Sequence, residues 1–166
     1  MMEQKLEIDG WGRNIRFSAC HVLLHHDKCS RIHGHSYAIH VRITGVQDEN
    51  NLLYDFGIVK STLKKYAREL DHRALIPTEN GDIRYTVDEK KGVVTLDMSG
   101  KIYVFPITDV AFIPVSSTTV EELSRYILER LVDEIDFPNG ITAISLGIDE
   151  GPGQGAWASV ELNKWK

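Results

Sequence analysis

The stretch from His33 to Gly45 constrains this chain most. His33, His35, Tyr37, Ile39, Val41 and Ile43 recur at every second position. In an extended strand such residues share one face. The run therefore reads as a strand whose face is apolar except for two histidines, which sit about 7 Å apart along it. An unpaired imidazole on such a face is unfavourable, so the pair needs a polar partner. Gly34 between them allows close backbone approach.

A third histidine, His21, closes an earlier alternating run of Ile15, Phe17 and Ala19. Two neighbouring imidazoles and a third from an adjacent strand suit zinc with one position left open. Cys29 stands four residues before His33, and a thiol near such a cation is pushed toward thiolate. The residues thus point to a catalytic metal site with an adjacent base or nucleophile. His25, His26 and His40 read as ordinary surface or core histidines.

The rest of the chain predicts an α+β fold. Residues 3–21 read as strand, with a turn or bulge at Gly10 and Gly12. Residues 22–32 form a polar loop. Asp55 is placed to cap a helix reaching Leu70, with Phe56, Val59, Leu63, Tyr66 and Leu70 on its apolar face. A second helix starts near Thr119, where Thr119 and Glu122 have capping-box spacing. Leu123, Ile127, Leu131 and Ile135 form its stripe, and Pro138-Asn139-Gly140 stops it. Two strands follow, one ending at Glu150 and one from Ala156 to Leu162. Between the helices, residues 82–106 predict three short strands. The chain reads as a single domain over 1–166 with a β insertion at about 77–113.

A net charge of −5 argues against nucleic acid as a partner. It leaves room for a small anion held by Lys28 and Arg31. No run is apolar enough to span a membrane. Two cysteines make no disulfide framework, which favours a reducing cytoplasm.

Phe17-Ser18-Ala19-Cys20-His21, Cys29 to His35, Tyr54-Asp55-Phe56, Leu70-Asp71-His72, Thr119-Val120-Glu121 and Glu150 occur in a characteristic order. That order resembles the 6-pyruvoyltetrahydropterin synthase and 6-carboxytetrahydropterin synthase family, apart from roughly residues 77–113. The resemblance implies a tunnelling fold, with a four-stranded antiparallel sheet and two helices on one face. Three such sheets would close into a barrel and two trimers would stack as a hexamer, with active sites at subunit interfaces. Barrel closure removes the open sheet edges.

The resemblance also implies roles. His21, His33 and His35 would bind zinc. Cys29 would be the base or proton shuttle, and Asp71 and His72 would complete a proton relay from an adjacent subunit. Glu150 would anchor the pterin, since a carboxylate accepts two parallel hydrogen bonds from its 2-amino-pyrimidine edge. Thr119 and the backbone around Val120 would help hold the ring.

The family's substrate is 7,8-dihydroneopterin triphosphate, whose side-chain hydroxyls zinc can chelate, acidifying the adjacent C–H bonds. One branch leaves a pyruvoyl side chain. The other cleaves it to a carboxylate and releases acetaldehyde. The carboxy-forming enzymes have the short Cys-x3-His-Gly-His gap seen from Cys29 to His35. The expectation is therefore 6-carboxytetrahydropterin synthase of the 7-deazaguanine pathway to queuosine or archaeosine. The alternatives are the pyruvoyl-forming activity, a non-catalytic zinc- or pterin-binding relative, and a structural zinc protein with Cys29 as fourth ligand.

Overall fold

A computed structural model describes residues 2–165. The described residues form ten strands and two α-helices. The strands are β1 (Gln4–Ile8), β2 (Arg16–His21), β3 (His33–Gly45), β4 (Arg73–Pro77), β5 (Ile83–Asp88), β6 (Val93–Met98), β7 (Lys101–Pro106), β8 (Val110–Ile113), β9 (Ile141–Glu150) and β10 (Gly155–Glu161). The helices are α1 (Phe56–Leu70), between β3 and β4, and α2 (Val120–Glu134), between β8 and β9.

β3 is the axis of the main sheet. β2 lies antiparallel along its first half, with His21 opposite His33, and β1 along its second half, with Ile8 opposite Val41. Residues 9–15 leave the ladder mostly in turns, so the strand read over 3–21 is two strands separated at the turn expected near Gly10 and Gly12. A Cβ on Gly10 would collide with the Ile39 backbone, so only glycine lets the chain pass there. β9 flanks the other edge of β3, and β10 pairs with β9.

These antiparallel strands are the ones the sequence predicts, but the sheet is larger than the four strands expected. It has seven, in the order β10-β9-β3-β2-β4-β8 with β1 beside β3. β4 is parallel to β2, and β8 is parallel to β4, so the sheet is mixed. β8 also moves the boundary of the insertion. Residues 110–113 belong to the main sheet, and the separate strands run from Ile83 to Pro106.

Both helices lie on one face of the sheet. Val59, Leu63, Tyr66 and Leu70 of α1 and Leu123, Ile127 and Leu131 of α2 join Phe17, Tyr37, Ile39, Val41, Leu146 and Ile148 in one core. Asp55 caps α1 by accepting from Gly57 N–H, and Thr119 caps α2 by accepting from Glu122 N–H. Strands β5–β7 form a second sheet on the opposite face. Val94, Leu96 and Met98 pack there with Val22, Ala74, Ile76 and Val110 in a separate core.

Candidate metal centre and active site

His21 and His33 face each other across the β2–β3 ladder, and His35 follows one pleat along. All three project to the helix side, where the core ends. Tyr37 is the next residue of that parity. It is fully buried, stacked on Phe17 at 4.7 Å and edge-on to His35 at 5.6 Å. The trio's ring nitrogens converge to within 4.8 Å of one another.

The hydrogen bonds around the rings fix which nitrogen points inward. His21 Nδ1 lies 2.9 Å from the Thr118 carbonyl, and His33 Nδ1 lies 2.8 Å from the Arg31 carbonyl. A carbonyl only accepts, so each Nδ1 carries the proton. In the neutral rings each Nε2 then presents a lone pair. These two Nε2 atoms are 3.1 Å apart. Two acceptors at that distance repel unless something positive lies between them. His35 Nε2 is buried without a hydrogen-bond partner. The donor set therefore fits a cation held by three Nε2 atoms, with carbonyls orienting the rings from behind.

Burial pushes the His21 pKa down to about 4, and His33 and His35 add to the shift. The ring is thus neutral, as a metal ligand must be. Glu150 ends β9 on the same face. Its Oε1 stands 3.7 Å from His21 Nε2 and 3.8 Å from His35 Nε2. The sheet thus brings a carboxylate to the open side of the trio.

The family model for 6-pyruvoyl tetrahydropterin synthase matches residues 12–161. The chain belongs to this family. A Methanocaldococcus jannaschii protein carrying the provisional name 6-carboxy-5,6,7,8-tetrahydropterin synthase is 34% identical over 155 residues, covering 91% of this chain and 93% of that protein. A Pyrococcus horikoshii protein of the same name is 30% identical over 142 residues, covering 86% of this chain and 83% of that protein. The structure of Plasmodium vivax 6-pyruvoyl tetrahydropterin synthase superposes with a TM-score of 0.87 at 22% identity, covering 98% of this chain and all of that one. That last likeness establishes the tetrahydropterin synthase fold.

Not every residue expected in the family's site meets the histidines. Asp71 and His72 follow α1, and both are tied to β2. Asp71 Oδ1 accepts from Ser18 N–H at 2.7 Å, and His72 N–H donates to the Ser18 carbonyl at 2.6 Å. Partial burial favours a raised Asp71 pKa, but the bonds from Ser18 and His72 outweigh it and hold the carboxyl below its ordinary value. Asp71 Oδ2 lies 3.0 Å from His72 Nδ1. His72 lines a groove of about 490 Å³ with Ser18, Cys20, Gly34, His35 and Ser36. Ser18, Cys20, Gly34 and Ser36 have the parity opposite to His21 and His33, which puts them on the sheet face away from the helices.

Cys29 sits in the 22–32 loop, where its carbonyl accepts from Leu23 N–H at 2.8 Å. Cys20, whose side chain turns to the second core, has its thiol pKa raised by burial. Thr119 is the α2 N-cap, and Val120 is half-buried against the first core.

Three neighbours of the site are not assigned to it by the sequence. Thr118 is fully buried and offers both its carbonyl and its hydroxyl, at 3.2 Å, to His21 Nδ1. Arg31 acts through its carbonyl, which any residue type supplies. Tyr37 lies with its hydroxyl 3.5 Å from His21 Nδ1, and its parity with His33 and His35 was the one available signal.

Proposed function

We propose that this protein is a zinc-dependent 6-carboxytetrahydropterin synthase, acting on 7,8-dihydroneopterin triphosphate with loss of triphosphate and acetaldehyde. The observation that carries the reading is the pair of facing, unprotonated Nε2 atoms of His21 and His33 beside the unpartnered Nε2 of His35. Zinc bound there would supply the Lewis acidity that makes the C–H bonds beside the substrate's side-chain hydroxyls more acidic. The three histidines hold it, and the Thr118 and Arg31 carbonyls keep the rings from turning. Cys29 takes the proton, and His72, held by Asp71, returns one. In this reading a neighbouring subunit of a homo-oligomer, a hexamer, supplies the Asp-His pair, which within its own chain is tied to Ser18 of β2. Glu150 accepts from the pterin ring edge, with Thr119 and the Val120 backbone beside it.

The carboxy product is favoured over the pyruvoyl one by the short gap from Cys29 to His33 and by the names of the archaeal relatives. The setting is the cytoplasm and the 7-deazaguanine pathway. A second reading, a closed non-catalytic zinc site, has one observation in its favour, the carboxylate of Glu150 within 4 Å of two of the histidines.

Mass spectrometry of the products from 7,8-dihydroneopterin triphosphate separates these readings. The expected products are 6-carboxytetrahydropterin and acetaldehyde, from protein holding about one zinc per subunit. His33→Ala should lose most of that zinc. A pyruvoyl product would reassign the branch, and intact substrate over zinc-loaded protein would favour the closed site.

A further inference from the structure

The reaction as proposed gives the β5–β7 sheet no task, yet that sheet grips the loop carrying Cys29 at three places. Lys101, the first residue of β7, donates from Nζ to the Ser30 carbonyl at 2.6 Å. His25 Nε2 lies 3.0 Å from Asp82 Oδ2, just before β5. At the loop's start, Val22 and Leu24 pack in the core formed by Val94, Leu96 and Met98. In the β5–β7 register Lys101 pairs with Met98, which pairs with Ile83. Cross-strand partners share a face, so Lys101 projects from the buried face of the small sheet toward the loop.

The point of attachment bears on the chemistry. Ser30 follows Cys29 directly. The next carbonyl, that of Arg31, receives His33 Nδ1–H. The loop is closed by Leu23 N–H to the Cys29 carbonyl and by Ser30 N–H to the His26 carbonyl, both at 2.8 Å. Lys101 therefore anchors the peptide between the thiol and the first histidine of the His-Gly-His run. A charged donor on a loop carbonyl gives a strong, directional tie. A segment of eleven residues without regular structure otherwise has many conformations open to it.

We infer that Lys101 is a positioning residue for Cys29, and that the inserted sheet is a platform that sets where the thiol stands relative to the bound side chain of the substrate. The inference rests on Cys29 having the proton-transfer role given above. A misplacement of about 1 Å at a reacting group can cost roughly a hundred-fold in rate. Loss of the anchor should therefore act on turnover and leave ring binding alone.

The test compares Lys101→Met and Lys101→Arg in the zinc-loaded full-length protein. Lys101→Met should lower kcat by roughly 10- to 100-fold with KM changed less than about two-fold, and Lys101→Arg should restore most of the loss. A raised KM with kcat intact would overturn the inference and make Lys101 a contact for the substrate's phosphates. Hydrogen exchange provides a readout without substrate. The Leu23 amide should exchange faster in Lys101→Met, and iodoacetamide should modify Cys29 at an altered rate while Cys20 is unaffected. Unchanged exchange and alkylation would sink the platform whatever the activity shows. If instead the loop loosens as expected but Cys29→Ala remains fully active, the role given to Cys29 has failed and the anchor has not.

Discussion

His21 lies in the folded protein with no exposed side-chain surface, and burial opposes its protonation. An unfolded chain takes up that proton near pH 6.5, whereas the folded, metal-free site takes it up only near 4. Between those values the unfolded state binds more protons, so stability falls as pH drops from 6.5 to about 4 and levels off below. The gap corresponds to about 3 kcal/mol. Urea unfolding of chelator-treated protein at pH 7 and at pH 4.5 should show a loss of this order, and His21→Gln should remove most of it. Equal pH dependence in wild type and His21→Gln would mean that the proton goes elsewhere. Zinc should steepen the wild-type curve, because acid must also displace the metal. The candidate trio was legible in the sequence because parity puts His33 and His35 on one face of their strand and His21 ends a second alternating run. The Thr118 and Arg31 carbonyls were not, because a backbone acceptor leaves no mark on residue type.

At the scale of elements, the helices were the most legible part of the chain. Asp55 and Thr119 cap where the sequence places them, and the apolar stripes face the sheet. β4 and β8 escaped notice for a physical reason. Both are parallel strands covered on both sides, with Leu75, Ala111 and Ile113 in one core and Ala74, Ile76 and Val110 in the other. Such strands show a continuous apolar run and no alternation. The junction between α1 and β4 carries a conformational cost. His72 has φ +58, a left-handed conformation that disfavours residues with a Cβ by about 1–2 kcal/mol. Its side chain is mostly exposed, and its pair with Asp71 adds little stability. His72→Gly should therefore be more stable than His72→Ala by about 1 kcal/mol in thermal melts, although both variants lose the imidazole. If the alanine variant melted at or above the glycine variant, the strain would not lie in this backbone.

On the scale of the whole molecule, the two cores divide the work. The first lies under the helices and carries β2, β3 and β9, the strands that hold His21, His33, His35 and Glu150. The second joins the β5–β7 sheet to β4, β8 and the start of the Cys29 loop. The sequence showed that β5–β7 were strands but not where they pack, because their inward residues, such as Leu96, are as apolar as any core strand's. Placement came only with β4 and β8, whose second faces they cover. This division predicts separable effects of cavities. Leu96 and Leu146 are both fully buried, one in each core, and truncation of either should cost about 2–5 kcal/mol locally. Leu146→Ala should weaken the sheet beneath the histidines, lowering both the melting temperature and zinc retention. Leu96→Ala should speed hydrogen exchange in β5–β7 and residues 22–32 and lower kcat, while zinc content stays near one per subunit. Zinc loss from Leu96→Ala as complete as that from Leu146→Ala would show that the two cores unfold as one unit and that the small sheet supports the metal as much as the thiol.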